Sequence, residues 1–447
     1  MMELTNQQNK VFEQIKAFLK SDASVFILRG YAGTGKTTMV KVIADYIEQT
    51  RQLAMMAPTG RAARVLAMKT GHTATTIHKA IYSKAHVEPK KVKNIAESEF
   101  KFVFSINNSE NGGNIVAIVD EASMVCSRKI EHELFMFGTD NLMEDLLTFV
   151  RPNFGGKVIF VGDPAQLPPV GESVSNALRA EYFKEKGLKV IEAELTEVLR
   201  QKDDSVILKN AMMIRDLLKK DKRNQLVFEE QKDDVETVPS EQFLDKYLNY
   251  RKESGKHDSV IICYSNKSAN RYNRDIRKSL YGGDVPLQEN DILLITQNNY
   301  RLDRMNGEFV PVLSIGERIQ QSAPVYAQIG GKKERIVITL NFIKVTVPNG
   351  DGNPIPCMLL EDLLTSDTAT ISIDENRALY INFCMRNPNL KQGTESFAEA
   401  LLNDEYYNAI RAKYGYAVTG HKCQGGEWGK VFVDYTGRTG LDDDSLR

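Results

Sequence analysis

An eight-residue stretch, GYAGTGKT (Gly30 to Thr37), constrains this chain more than any other. It follows the apolar run SVFILRG (24 to 30) and opens the helical pattern TTMVKVIADYIEQT (37 to 50). A GxxxxGK[ST] pattern placed where a buried strand turns into a helix is a phosphate-binding loop rather than a chance turn. Gly30, Gly33 and Gly35 let backbone amides curl round phosphate oxygens. Lys36 supplies a cation to the β and γ phosphates, and Thr37 offers a hydroxyl to a magnesium ion. Gly33, Thr34, Gly35, Lys36, Thr37 and Thr38 are the expected nucleotide-binding residues, with ATP and Mg2+ as the groups they hold.

Three further apolar runs lead into polar or glycine-rich sequence: LAMMAPT (53 to 59), NIVAIVDEAS (114 to 123) and KVIFVGDPAQ (157 to 166). Such runs read as buried parallel strands with function at their C-terminal ends. Asp120 and Glu121 follow one of them directly. There one carboxylate can orient the magnesium shell and the other can polarise an attacking water. Asp120 is therefore expected on the metal and Glu121 as general base, a pairing that favours an ATPase over a kinase or GTPase; a solvated turn carboxylate is the alternative. Gln166 ends another strand with an amide suited to a γ-phosphate.

A chain of 447 residues exceeds one ordinary core, since domains of ~100 to 200 residues are the usual unit. Residues 1–190 are expected to form a first α/β domain, with a small hairpin-like insertion at about 66–112, where lysines (Lys84, Lys90, Lys91, Lys93) stand beside Phe100, Phe102 and Phe104. That mixture suits a wedge that stacks a base or splits a duplex end; an edge strand with a buried aromatic face explains it equally. A second α/β domain is expected from 191–290 and 411–447, interrupted by a β-rich domain at 291–410. The net charge of −1 advertises no polyanion partner, so any nucleic-acid site must be local. Five scattered cysteines without a CxxC pair argue against zinc and disulfides. The start, MMELTNQQNK, lacks an apolar leader segment, and no run nears the ~18 apolar residues of a membrane span, so a soluble, unexported chain is expected.

The set GYAGTGKT, APTGRAA, TTIH, DEAS, GDPAQLPPV, LTEVLRQ and YAVTGHKCQGGE, in this order, resembles the superfamily 1 helicases of the RecD, Dda and PIF group, most closely the PIF-type members. The likeness covers almost the whole chain. It implies an α/β fold of two RecA-like P-loop domains with an SH3-like β insertion in the second. It also implies 5′ to 3′ movement on single-stranded DNA, separation of forked or partial duplex DNA, and function as a monomer without a membrane. A cytoplasmic or nucleoid location would follow in a bacterium, and a nuclear or mitochondrial one in a eukaryote. By the same resemblance Gln8 reads the adenine and Arg200 reaches the γ-phosphate as an arginine finger, with a further arginine due soon after YAVTGHKCQGGE, where Arg438 stands in a different local pattern.

For a DNA track, Thr59, Gly60 and Arg61 present hydroxyl, amide and guanidinium groups suited to phosphate oxygens. Thr75, Thr76 and His78 extend the track, and Thr419, His421 and Lys422, with Gln424 and Glu427, form the matching patch on the second domain. Helix N-caps account for Thr59 or Thr75 almost as well. Two other functions stay open: a DNA-stimulated translocase or remodelling ATPase with weak unwinding, and an ATP-gated DNA-binding subunit.

Overall fold

A computed structural model of the chain describes residues 4–31, 33–83, 86–89, 100–107, 114–130, 135–197, 205–220, 226–254, 258–299, 301–368, 370–392 and 394–436. The first 195 residues carry strands β1 (Val25–Gly30), β2 (Gln52–Ala57), β3 (Ala74–Thr76), β4 (His86–Pro89), β5 (Phe100–Phe104), β6 (Ile115–Val119), β7 (Phe135–Phe137), β8 (Lys157–Gly162) and β9 (Val190–Leu195). Their helices are α1 (Asn6–Lys20), α2 (Lys36–Ile47), α3 (Gly60–Thr70), α4 (Ile77–Ile81), α5 (Leu142–Val150) and α6 (Ala180–Lys184). Six of the strands form one parallel sheet in the order β3-β2-β6-β8-β1-β9.

Every residue of β6 and β8 is buried, as in strands covered on both faces. Alternate side chains serve the two faces. Phe26, Leu28, Val116, Ile118, Ile159 and Val161 pack with α1 and α2, whereas Val25, Ile27, Ala117, Val119, Val158 and Phe160 pack with α4 and α5. Lys157, a buried cation in β8, is satisfied by the carbonyls of Ser21 and Ala23.

The small insertion is a separate sheet, β4-β5-β7. β4 and β5 pair antiparallel, and β7, which sequence patterning does not announce, joins β5 in parallel. Because β3 pairs with β2 in the main sheet and α3 packs through Leu66 into the core beside it, this separate sheet begins at His86 rather than near residue 66. Its Phe104 ring stacks on Phe137 at 4.4 Å between centroids.

Beyond β9 come α7 (Val206–Lys220), α8 (Ser240–Ser254), β10 (Ser259–Cys263) and α9 (Asn266–Tyr281). They are followed by β11 (Ile292–Ile295), β12 (Phe309–Pro311), β13 (Ser314–Ile329), β14 (Lys332–Pro348), β15 (Pro354–Leu360), α10 (Ile373–Arg386) and α11 (Glu395–Asn403). The chain then runs through β16 (Ala412–Tyr414), β17 (Ala417–Thr419), α12 (Gly420–Cys423) and β18 (Lys430–Val433). A second parallel sheet has β10 between β17 and β18. The β-rich region is two antiparallel sheets, β12-β11-β16 and β13-β14-β15. One continuous core joins β10 and β17 to β11, β12 and the base of β14, so the region is rooted in the second α/β unit. Among the described residues no helix is long and apolar enough to cross a membrane.

Asp291, fully buried at the start of β11, is the junction of this second unit. It accepts hydrogen bonds from Arg277 Nη2 at 2.9 Å, Tyr416 Oη at 2.6 Å and the Gln288 amide at 2.8 Å. The Arg277 side chain is itself only 8% exposed, so removing one partner strands a buried charge. Asp291→Ala is expected to cost the second unit about 3–5 kcal/mol in urea unfolding. A loss below about 1 kcal/mol would show that the pair is no junction.

Candidate active site and the cleft beside it

Strands β6, β8 and β1 are neighbours in the sheet, and all three end at the same edge because they run parallel. The turn after β1 holds Gly33 and Gly35 with φ of 82° and 79°, the left-handed backbone that glycine adopts without a Cβ clash. It curls the chain into the N-terminus of α2, whose Thr37 and Thr38 stand in the first turn. Thr34 is buried and donates through Oγ1 to the Tyr31 carbonyl at 2.8 Å. The Lys36 ammonium donates to the carbonyls of Gly30 at 2.6 Å and Tyr31 at 2.9 Å. These are contacts a polyphosphate can replace. Burial lowers the Lys36 pKa, against the pull of Asp163, Glu121 and Asp120.

At the end of β6, burial raises the Asp120 carboxyl above the usual range. Burial and then the neighbouring Asp120 charge push Glu121 up to about 7. Glu121 also holds a left-handed backbone, φ 51°, a conformation that costs a non-glycine residue about 1–3 kcal/mol and concentrates at functional sites. After β8, Gln166 Oε1 accepts from Ser123 Oγ at 3.0 Å, and its amide acts on Glu121 as a hydrogen-bond partner. The turn therefore brings Lys36, Asp120, Glu121 and Gln166 into one pocket. Although Lys36 and Lys69 both favour its ionised form, burial keeps the Asp120 carboxyl raised, and a carboxylate in that state fits a divalent ion held by Asp120 and the Thr37 hydroxyl, since Mg2+ needs only one or two protein ligands beside phosphates.

Gln8, buried in the first turn of α1, accepts from the Thr5 amide through Oε1 at 3.1 Å. Its Nε2 has no partner among the described residues, which leaves a donor for a base edge. Its neighbour Gln7 bonds Thr196 and Glu197 across to the end of β9. Two residues of the pocket went unread in the sequence. Asp163 closes β8, and Arg215 of α7 approaches it at 3.8 Å. Arg200, Arg438 and the lysines 84, 90, 91 and 93 lie outside the described residues, as do the side chains of Phe100 and Phe102.

The residues expected to form a DNA track fall into two groups. Thr59 caps α3 by accepting from the Ala62 amide at 3.2 Å, and Thr76 caps α4 by accepting from Lys79 at 3.1 Å. Thr75 donates to the Thr76 carbonyl at 3.4 Å, and half-buried His78 packs edge-on to Phe137. Gly60 is pressed against the second unit: a Cβ there would lie 1.9 Å from Met305 Cβ. Beside it the Arg61 guanidinium lies 4.9 Å from the Trp428 ring and 5.4 Å from Phe309. Its Nη1 is buried without a hydrogen-bond partner among the described residues. Lys422 Nζ donates to Asn306 Oδ1 at 2.9 Å, Lys69 pairs with Glu427 at 3.0 Å, and Thr419 and exposed His421 stand on the same turn. Burial lowers the pKa of both Arg61 and Lys422. The cleft between the units thus gathers Thr59, Gly60, Arg61, Thr419 and Lys422, whereas Thr75 and Thr76 stand apart in β3 of the main sheet and His78 beside β7 of the small one.

A family model described as AAA domain matches residues 3–239, more than half of the chain. The ATP-dependent RecD2 DNA helicase of Deinococcus radiodurans is 33% identical over 168 residues, 37% of this chain but 18% of that protein. The ATP-dependent DNA helicase Dda of Enterobacteria phage T4 is 24% identical over 316 residues, 68% of this chain and 64% of its own length. The chain thus spans under a fifth of the RecD2 relative and just under two thirds of Dda. Among solved structures, the Pif1 helicase of Candida albicans aligns over all of this chain and 91% of its own at 16% identity and a TM-score of 0.48. The chain belongs to the AAA-domain family, and its ordered motifs resemble those of the superfamily 1 helicases of RecD, Dda and Pif1 type.

Proposed function

We propose that this chain is an ATP-driven DNA helicase that moves along single-stranded DNA. The observation that carries the reading is the meeting of Lys36, Asp120, Glu121 and Gln166 at the ends of three adjacent parallel strands, beside a cleft lined by desolvated cations. Lys36 leaves the Gly30 and Tyr31 carbonyls for the β and γ phosphates of ATP. Glu121 takes a proton from the attacking water, and Gln166, bonded to Ser123, orients that water or the γ-phosphate. Thr37 and Asp120 would hold a magnesium ion, which would supply neutralisation of phosphate charge. Gln8 meets the adenine. Arg61 and Lys422, cations partly stripped of water, recover favourable energy by meeting phosphodiesters, with Thr59, Gly60 and Thr419 placing the strand.

The family resemblance supports Arg200 as arginine finger, 5′ to 3′ polarity, forked or partial duplex DNA as substrate, an SH3-like identity for the β-rich region, an intracellular location and monomeric action. One observation favours a weaker unwinder. Phe104, a wedge candidate, is stacked on Phe137 and packed against both the first core and the β-rich unit, so it is not free to enter a duplex.

Glu121→Gln should leave ATP and DNA affinity in place and lower turnover at least about 10²-fold, the usual loss for a general base; undiminished steady-state turnover removes Glu121 from that role. Since the Glu121 pKa is raised to about 7 and the base works deprotonated, kcat/KM should fall as pH drops through 7. A profile flat down to about pH 5.5 contradicts the assignment. Unwinding of a forked duplex with a trap strand tests the motor itself. Phe104→Ala should lower the melting temperature and reduce unwinding and DNA-stimulated ATPase together; selective loss of unwinding would make Phe104 a wedge.

A further inference from the structure

No local motif announces Arg215. It lies on α7, outside the first sheet, with a side chain only 11% exposed. Its Nη2 stands 3.8 Å from Asp163 Oδ2, and its guanidinium carbon is 4.4 Å from the ring centroid of Tyr31, a residue of the phosphate-binding loop. It also acts on Lys36 as a like charge, so the two cations share one field.

We propose, on the reading that this pocket takes ATP, that Arg215 senses the terminal phosphate. With a nucleoside triphosphate bound, its guanidinium exchanges the Asp163 carboxylate for γ-phosphate oxygens; with a diphosphate it returns to Asp163. The Asp163 contact is too long for a hydrogen bond, and Asp163 Oδ1 is already taken by the Ala165 amide at 2.9 Å. A guanidinium carries five donors, and among the described residues none of those of Arg215 meets an acceptor at hydrogen-bond distance. Arginine keeps its charge even where it is buried, so Lys36 and Arg215 repel each other until a polyanion lies between them. The Tyr31 ring holds the guanidinium plane in place, which reduces the side-chain freedom lost on binding.

The exchange also has a direction for its consequence. Asp163 begins the turn that carries Gln166, and α7 is the helix that follows β9 on the way to the second unit. Loss of the γ-phosphate therefore changes what α7 is tied to.

The test is calorimetric binding of Mg-ATPγS and Mg-ADP to the full chain, to Arg215→Gln and to Arg215→Lys, with Lys36→Ala as control and circular dichroism to verify folding. Arg215→Gln should weaken ATPγS binding about 10- to 100-fold, the range for hydrogen bonds to a charged group, and leave ADP within about twofold. Arg215→Lys, which keeps the charge and spares the fold, should recover part of the loss for ATPγS alone. Equal weakening of both nucleotides in both variants, or no change in either, overturns the assignment. Lys36→Ala separates the two readings: if the unaltered chain binds neither nucleotide, or Lys36→Ala binds both normally, the nucleotide site itself is wrong.

Discussion

Two cations and three carboxylates share a largely buried pocket: Lys36 and Arg215 against Asp120, Glu121 and Asp163. Buried charges of this kind cost several kcal/mol each unless their partners are well placed. On the proposed reading they are placed for a ligand rather than for one another. The displaced pKa of Glu121, the lowered pKa of Lys36 and the loose Arg215–Asp163 contact all express the same unfinished neutralisation. A fold tolerates this only where it is stiff, and the pocket rests on β6, β8 and β1, central strands buried on both faces.

The same edge of the sheet meets the second unit. The Gln166 turn continues into Leu167, whose Cδ1 is 3.8 Å from where a Cβ on Gly420 would stand. Gly420 begins the turn that bears His421 and Lys422. On the other side of the cleft, Gly60 abuts Met305 and Arg61 lies between Trp428 and Phe309. A change at Gln166 is thus one residue away from a contact between units, and any change in their spacing alters the surroundings of Arg61 and Lys422. Cleft and pocket are mechanically adjacent without sharing a residue.

Much of the pocket was legible in the sequence, because the chemistry demands particular residues within a few positions of a strand end. GYAGTGKT, DEAS and GDPAQ each announce themselves locally, and the structure needed only to set their strands side by side. What escaped depends on distant parts of the chain meeting. Arg215 sits in the middle of an amphipathic helix, where a solvated arginine would look the same. The rings round Arg61 come from Phe309 and Trp428, more than a hundred residues apart, and no spacing rule joins them. β7 is too short to show a period, yet it supplies Phe137, which seals Phe104, Tyr82 and His78. Aromatic alternation in FKFVFS was equally compatible with a wedge and with a packed face; for Phe104 the packed face holds.

A motor differs from other P-loop proteins in that its phosphate pocket responds to an occupied nucleic-acid cleft. The direct measurement is the steady-state ATP hydrolysis rate of the full chain titrated with single-stranded DNA, with double-stranded DNA and single-stranded RNA as comparisons. Coupling through the Gln166–Leu167 turn predicts a saturable rise in turnover with single-stranded DNA, lost when Arg61 and Lys422 are both replaced by alanine. An ATPase rate indifferent to every nucleic acid would contradict it.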